Sequence, residues 1–241
     1  MAVDDRVVVS VRGIAKRYGD ATVLSDISFD LRRGRVVGLL GRNGAGKTTT
    51  LRILLGLARP DAGSVEFAAG ERDRLTPRHV GVALDTFGFC AGATAHRELS
   101  LRARTIGVDA GRVREVLGLV ELADHAQTPC AKLSTGQQQR LRLATALLSP
   151  DVELLVLDEP TNGLDPEGIR WLRRLVRSLA DSGVAVLLSS HALAEVEQVV
   201  DDVLLLEGTL LHDGSLQALT DHGARSLEDR FFEIVEGVAA R

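Results

Sequence analysis

Val36-Val37-Gly38-Leu39-Leu40 runs directly into Gly41-Arg42-Asn43-Gly44-Ala45-Gly46-Lys47-Thr48, and Thr49-Thr50-Leu51-Arg52-Ile53-Leu54-Leu55 follows. A short apolar run, a glycine turn and a helix-forming stretch read as strand, loop and helix. The loop fits the pattern G-x-x-x-x-G-K-[ST], in which glycines let backbone N–H groups curl around phosphate oxygens while a lysine reaches the terminal phosphates. The start of the following helix adds its dipole and its unsatisfied N–H groups. On this reading Gly41, Asn43, Gly44, Ala45 and Gly46 form the cradle, Lys47 meets the β- and γ-phosphates, Thr48 ligates Mg2+ and Thr49 reaches the α-phosphate. The implied ligand is a nucleoside triphosphate with magnesium. The loop alone does not separate a kinase from a GTPase or a motor.

Two later segments narrow the choice. Leu154-Leu155-Val156-Leu157 is a buried strand that carries Asp158 to its carboxyl end, where open α/β sheets bind ligands, so Asp158 is expected near the magnesium. Glu159 follows at once and can polarise an attacking water as general base; two adjacent acids can also serve as a strand cap. Leu133-Ser134-Thr135-Gly136-Gln137 opens a helix running through Leu148, which puts Ser134, the Gly136 amide and Gln137 where a helix start can hold a phosphate. Alone, such a stretch is a common helix cap. Beside a first cradle it makes sense if it serves a nucleotide bound to another copy, so that two subunits sandwich two ATP molecules.

Composition bounds the rest. The 241 residues suit one large α/β domain or a core with small lobes, and with aromatic residues at 3% the core is aliphatic. A formal charge of -4 and a scarcity of aromatic side chains argue against a nucleic-acid partner. Met1-Ala2-Val3-Asp4-Asp5 lacks the basic start and apolar run of a secretory signal, and no run approaches the roughly 20 apolar residues of a membrane span. A cytoplasmic protein is expected, with any membrane role supplied by a partner. Cys90 and Cys130 are too few and too far apart for a zinc site or a disulfide framework and are expected to be inert.

Continuous apolar runs at Val36–Leu40, Val80–Leu84, Leu154–Leu157, Val184–Leu188 and Val203–Leu206 read as parallel strands covered on both faces. Arg6–Val11, Thr22–Asp30 and Ser64–Phe67 read as strands of a small antiparallel lobe, and Glu98–Ile106 with Val113–Leu122 as pieces of a helical insertion. Arg170, Arg173, Arg174 and Arg177 are expected on a solvated helix face. The organisation expected is a single domain: residues 1–85 the antiparallel lobe with the glycine-loop part of the core, 86–135 a helical subdomain, 136–225 the rest of the core and 226–241 a C-terminal helix.

Over essentially its whole length the chain resembles the nucleotide-binding domain of ATP-binding cassette (ABC) proteins. Leu133–Gln137 with Gln138-Gln139-Arg140-Leu141 resembles that family's signature, Asn162-Gly163-Leu164-Asp165 its D-loop and Ser189-Ser190-His191 its switch histidine. The resemblance implies a RecA-like P-loop NTPase core with an antiparallel β subdomain and an inserted α-helical subdomain. It implies further that His191 bonds the γ-phosphate and holds the attacking water, and that Tyr18 stacks on adenine, although a single histidine after a strand is usually a surface or capping residue and a single tyrosine can simply pack. Two positions depart from the family: Asp85 stands where a glutamine is usual and can ligate magnesium but cannot donate an amide hydrogen bond, and Thr135 stands where glycine is typical.

A two-copy ATP cycle can pull and release whatever is attached to it. The resemblance implies a homodimer, or pairing with a similar ATPase, and a separate integral-membrane permease that holds the chain at the inner face of the membrane. The segment Asp85–Glu98 is expected as the interaction surface, with lobe packing as the alternative. Finer likeness in Val82–Asp85, Thr161–Gly168, Ser189–Glu197 and the tail Ser226–Phe232 points to bacterial exporters of drugs and antibiotics. An importer ATPase, or a soluble relative acting on ribosomes or DNA, is the competing class.

Overall fold

The computed structural model describes residues 7–67, 78–84, 88–90 and 92–239. In chain order the elements are β1 (Val7–Tyr18), β2 (Ala21–Arg32), β3 (Val36–Leu40), α1 (Lys47–Leu54), β4 (Ala62–Phe67), β5 (Val80–Ala83), α2 (Ala95–Ile106), α3 (Ala110–Leu119), α4 (Thr135–Ala146), β6 (Leu154–Asp158), α5 (Pro166–Asp181), β7 (Ala185–Ser190), α6 (Leu193–Val196), β8 (Asp202–Glu207), β9 (Thr209–Ser215), α7 (Leu216–Leu219) and α8 (Leu227–Ala239). The chain divides into two compact units, Met1–Arg74 with Val176–Arg241, and Leu75–Leu175.

In the first unit β2, β1 and β4 form an antiparallel sheet. Its strands run further than their sequence pattern suggests. β1 continues to Tyr18 because the register shifts after Val11, where Gly13 takes a φ of 57° and β2 answers with Asp26 at 53°. The bulge breaks the apolar alternation without ending the pairing. Behind this sheet β3 pairs in parallel with β7 on one side and β8 on the other, and β9 closes the edge antiparallel to β8. β3 and β7 are buried at every residue, as continuous apolar runs require. Gly38 is needed for close helix packing on β3, since a Cβ there would lie 3.0 Å from Val196 Cγ1 and 3.1 Å from Val200 Cγ1.

The arginine face of α5 is not wholly solvated. Arg177 donates to both carboxylate oxygens of Asp201 at 3.0 and 3.1 Å, to Asp181 at 3.0 Å and to the Gly34 carbonyl at 3.3 Å. Asp201 also accepts from the Val36 amide at 2.8 Å, and Arg35 forks onto Asp202, so the entries to β3 and β8 are fixed by charge-assisted bonds.

In the second unit β5 and β6 pair in parallel, with Val80 opposite Leu154 and Ala83 opposite Leu157. Here α4 lies directly on β5: a Cβ on Gly81 would come within 2.3 Å of the Ala146 carbonyl oxygen. The helices α2, α3 and α4 bury Leu99, Val113, Val116, Leu117, Leu141 and Leu143 among themselves. Thr94 and Asp109 cap α2 and α3 by accepting from Arg97 N and Gly111 N. Glu98 is buried and accepts from the Cys90 amide at 2.9 Å and from Arg102 Nε at 2.7 Å. Burial opposes its ionisation, but those bonds outweigh it and hold the carboxyl below the ordinary glutamate range. Both cysteines are free thiols; burial, then the Glu98 charge, pushes the Cys130 thiol up. Among the described residues no helix is long and apolar enough to cross a membrane.

Candidate functional site

In the first unit the fully buried β3 ends at Leu40, and from Gly41 the chain turns in a space that excludes side chains. A Cβ on Gly41 would sit 2.3 Å from the Leu206 carbonyl oxygen, and one on Gly46 would sit 2.5 Å from Leu24 Cδ2. Gly44 and Gly46 have φ of 86° and 101°, a region that suits glycine. Gly46 is the N-cap of α1 and supplies no side-chain bond, so the amides at the start of the helix keep their donors for an anion. Lys47 is buried and donates to the carbonyls of Gly41 at 2.7 Å and Arg42 at 3.3 Å. Its ammonium is therefore held within the loop it is expected to serve. Ala45 is buried, Thr49 half-buried, and Asn43 and Thr48 are exposed.

Tyr18 closes β1 half exposed, with Lys16 Nζ 5.4 Å from the ring centroid. Lys16 and the Arg17 amide both bond Asp61, at 2.9 and 2.7 Å, which anchors that strand end. The Lys16 bond is the main reason the Asp61 carboxyl lies below its ordinary range. His191 follows β7 immediately and is exposed, beyond the buried pair Ser189 and Ser190; Ser190 Oγ accepts from the Ala192 amide at 3.0 Å. Only the short α6 follows it.

In the second unit Asp158 is the last residue of β6 and Glu159 the first beyond it, both half-buried. Glu159 has a φ of 48°, an uncommon conformation for a residue with a side chain, and strain of this kind gathers at functional positions. The turn after it is tight: Asn162 N bonds the Glu159 carbonyl, Leu164 N the Thr161 carbonyl, and Asp165 caps back onto Gly168 N at 2.7 Å. Asp85 lies outside the described residues, as does Phe87 of the expected interaction segment.

Ser134 caps α4 in a reciprocal box: its hydroxyl accepts from Gln137 N at 3.2 Å, and its amide donates to Gln137 Oε1 at 3.0 Å. The cap uses the Ser134 hydroxyl only as an acceptor, so its proton is not consumed within the box. Ser134 and Thr135 are exposed. Sequence reading did not foresee how this cap meets the D-loop within the same unit. A Cβ on Gly136 would lie 3.1 Å from the Gly163 carbonyl oxygen, and one on Gly163, at φ 78°, would strike Thr135 Cγ2 at 2.5 Å. Gln139, fully inside, donates to the Pro160 carbonyl at 3.1 Å, tying α4 to the turn after Glu159. Arg140 lies over the Trp171 ring at 4.1 Å from its centroid. The only sequence signal for Gln139 was its place in the run Gln138-Gln139-Arg140-Leu141; the stacking had none.

The donor chemistry suits a nucleotide with magnesium. Among the described residues no cluster of three or more His, Cys, Asp or Glu could hold a metal by itself. Each in its own unit, the Thr48 hydroxyl and the Asp158 carboxylate are hard oxygen donors of the kind magnesium takes, and magnesium needs few protein ligands because it keeps waters and substrate phosphates in its shell.

A family model described as ABC transporter matches residues 24–162. The bacitracin transport ATP-binding protein BcrA of Bacillus licheniformis is 39% identical over 229 residues, covering 92% of this chain and 74% of that protein. The lantibiotic transport ATP-binding protein SrtF of Streptococcus pyogenes is 33% identical over 213 residues, 86% of this chain and 93% of that protein. The Nod factor export ATP-binding protein I of Ralstonia nicotianae is 38% identical over 224 residues, 89% and 69%. A solved ATP-binding subunit of an ABC transporter superposes with a TM-score of 0.84 at 27% identity, covering 95% of this chain and 99% of that one.

Proposed function

The chain belongs to the ABC transporter family of ATP-binding proteins, and from that membership we propose that it is the ATP-hydrolysing subunit of an exporter working through a separate integral-membrane permease. Its fold is the α/β fold of ABC ATPases, and it binds and hydrolyses ATP. The observation that carries the reading is the glycine cradle with an uncapped helix start, Gly41 to Thr48, in a chain that also bears the Ser134 cap and the Asp158-Glu159 strand end. Relatives named for transport of bacitracin and of a lantibiotic support a drug or antibiotic type of cargo.

In the proposed cycle the amides of Gly44 to Thr49 bind the phosphates of ATP, Lys47 leaves its loop carbonyls for the β- and γ-phosphates, and Tyr18 stacks on adenine. Glu159 takes a proton from the attacking water, and His191 holds that water against the γ-phosphate. Ser134 and Gly136, with Gln137 folded back to hold Ser134 in place, grip the ATP of a second copy, so that closure needs two chains. Magnesium, held by Thr48 and Asp158 with Asp85 at the same ion, would neutralise phosphate charge when bound. The permease keeps the chain at the inner face of the membrane and selects the cargo. Affinity purification from the native host tests this: an integral-membrane partner whose presence raises ATP turnover is expected, and recovery of ribosomes or DNA with no membrane protein would overturn it.

A further inference from the structure

The signature turn is held by a side chain outside every motif. His125 ends a short 3-10 turn, Ala123–His125, and its Nε2 lies 2.9 Å from Nε2 of Gln137. Two nitrogens at that distance bond only if one donates and the other accepts. The Gln137 amide is oriented from its other end, because the Ser134 backbone N–H can only donate and it meets Oε1 at 3.0 Å. The NH2 group of Gln137 therefore faces the imidazole, and His125 Nε2 has to be the bare, accepting nitrogen with the proton on Nδ1. The backbone around it is anchored: His125 N donates to the Leu122 carbonyl, Thr128 N to the His125 carbonyl, and Gln138 Nε2 reaches the carbonyls of Cys130 and Leu133.

We propose that His125 is a positioning residue for the signature turn: as the neutral Nδ1–H tautomer it locks the Gln137 side chain back onto Ser134, fixing the cap that presents Ser134 and Gly136 to the ATP of a second copy. The bond to Gln137 is a feature of one chain; what the turn then grips rests on the function proposed above. A glutamine side chain has three rotors to freeze, and the capping box fixes only its carbonyl end. The imidazole satisfies the donor end, so the folded-back rotamer has a partner at both atoms of the amide. The Ser134 hydroxyl oxygen then stays the acceptor for Gln137 N, and its proton is not used within the cap.

Nitrogen-15 spectra of the imidazoles in the full chain, paired with steady-state kinetics, test the assignment. The expected spectrum shows His125 with a protonated Nδ1 and a bare Nε2. His125→Leu is expected to lower kcat about fivefold, the worth of one ordinary hydrogen bond, while KM for ATP stays put because the first cradle is untouched. His125→Gln, whose carbonyl oxygen can take the place of Nε2, is expected to restore kcat. A spectrum with the proton on Nε2, or a His125→Leu chain turning over ATP like the wild type, overturns the inference. A wild-type chain without ATP turnover would instead defeat the functional reading, and the tautomer would still decide this one.

Discussion

Gly46 shows how a single residue type can be compelled by its surroundings. Its φ of 101° and the Leu24 methyl 2.5 Å from a hypothetical Cβ leave no room for alanine. Gly46→Ala is expected to destabilise the chain by about 1–3 kcal/mol and to abolish ATP binding, read by thermal melts and nucleotide titration. Glu159 is legible as an acid beside Asp158, but its left-handed backbone is not. Pro160 disfavours the right-handed helical region for the residue before it, which accounts for only part of that conformation. Asp85 carries a carboxylate where an amide is usual in the family, and the chemistry of that exchange is specific. Asp85→Gln is expected to leave ATP binding intact and to shift the magnesium dependence of turnover; an unchanged magnesium profile removes Asp85 from the site.

At the scale of elements, legibility follows burial. β3 occupies Val36–Leu40 as its sequence suggests, because a strand covered on both faces writes itself as an unbroken apolar run. β9 was missed because its half-buried and exposed residues, among them His212, Asp213 and Gly214, carry no such run. α2 starts earlier than its apolar pattern does, since its cap is Thr94. The Glu98 contact with Cys90 and Arg102 was also hidden, because a glutamate at a helical position reads as a solvated one. Its folded carboxyl is held below the ordinary range, so its contribution is present at neutral pH and is lost as pH falls through the folded value. Glu98→Ala is expected to cost about 1–3 kcal/mol at neutral pH and progressively less in acid. A pH-independent difference in urea midpoint between the two chains would contradict this.

For the whole molecule the composition was informative in what it excluded. Low aromatic content foretold an aliphatic core, and the buried residues are largely leucine and valine. Long-range charge pairing was beyond reach: Arg177 reads as one of several surface arginines, yet its partner Asp201 lies 24 residues away and a further strand separates them. The signature was legible as a capped helix start because the residues that form the cap are local in sequence. Its link to the D-loop through Thr135, Gly163 and Gln139 is tertiary, so the motif order named the parts without revealing that they touch. The proposed cycle makes the functional unit larger than one chain, since Ser134 acts on a second copy's nucleotide. Sedimentation of the Glu159→Gln chain with ATP measures this most directly. The account predicts a monomer without nucleotide, a dimer retaining unhydrolysed ATP when nucleotide is added, and a return to monomer when Ser134→Arg is introduced. A Glu159→Gln chain that hydrolyses ATP at the wild-type rate, or a dimer indifferent to Ser134→Arg, would contradict it.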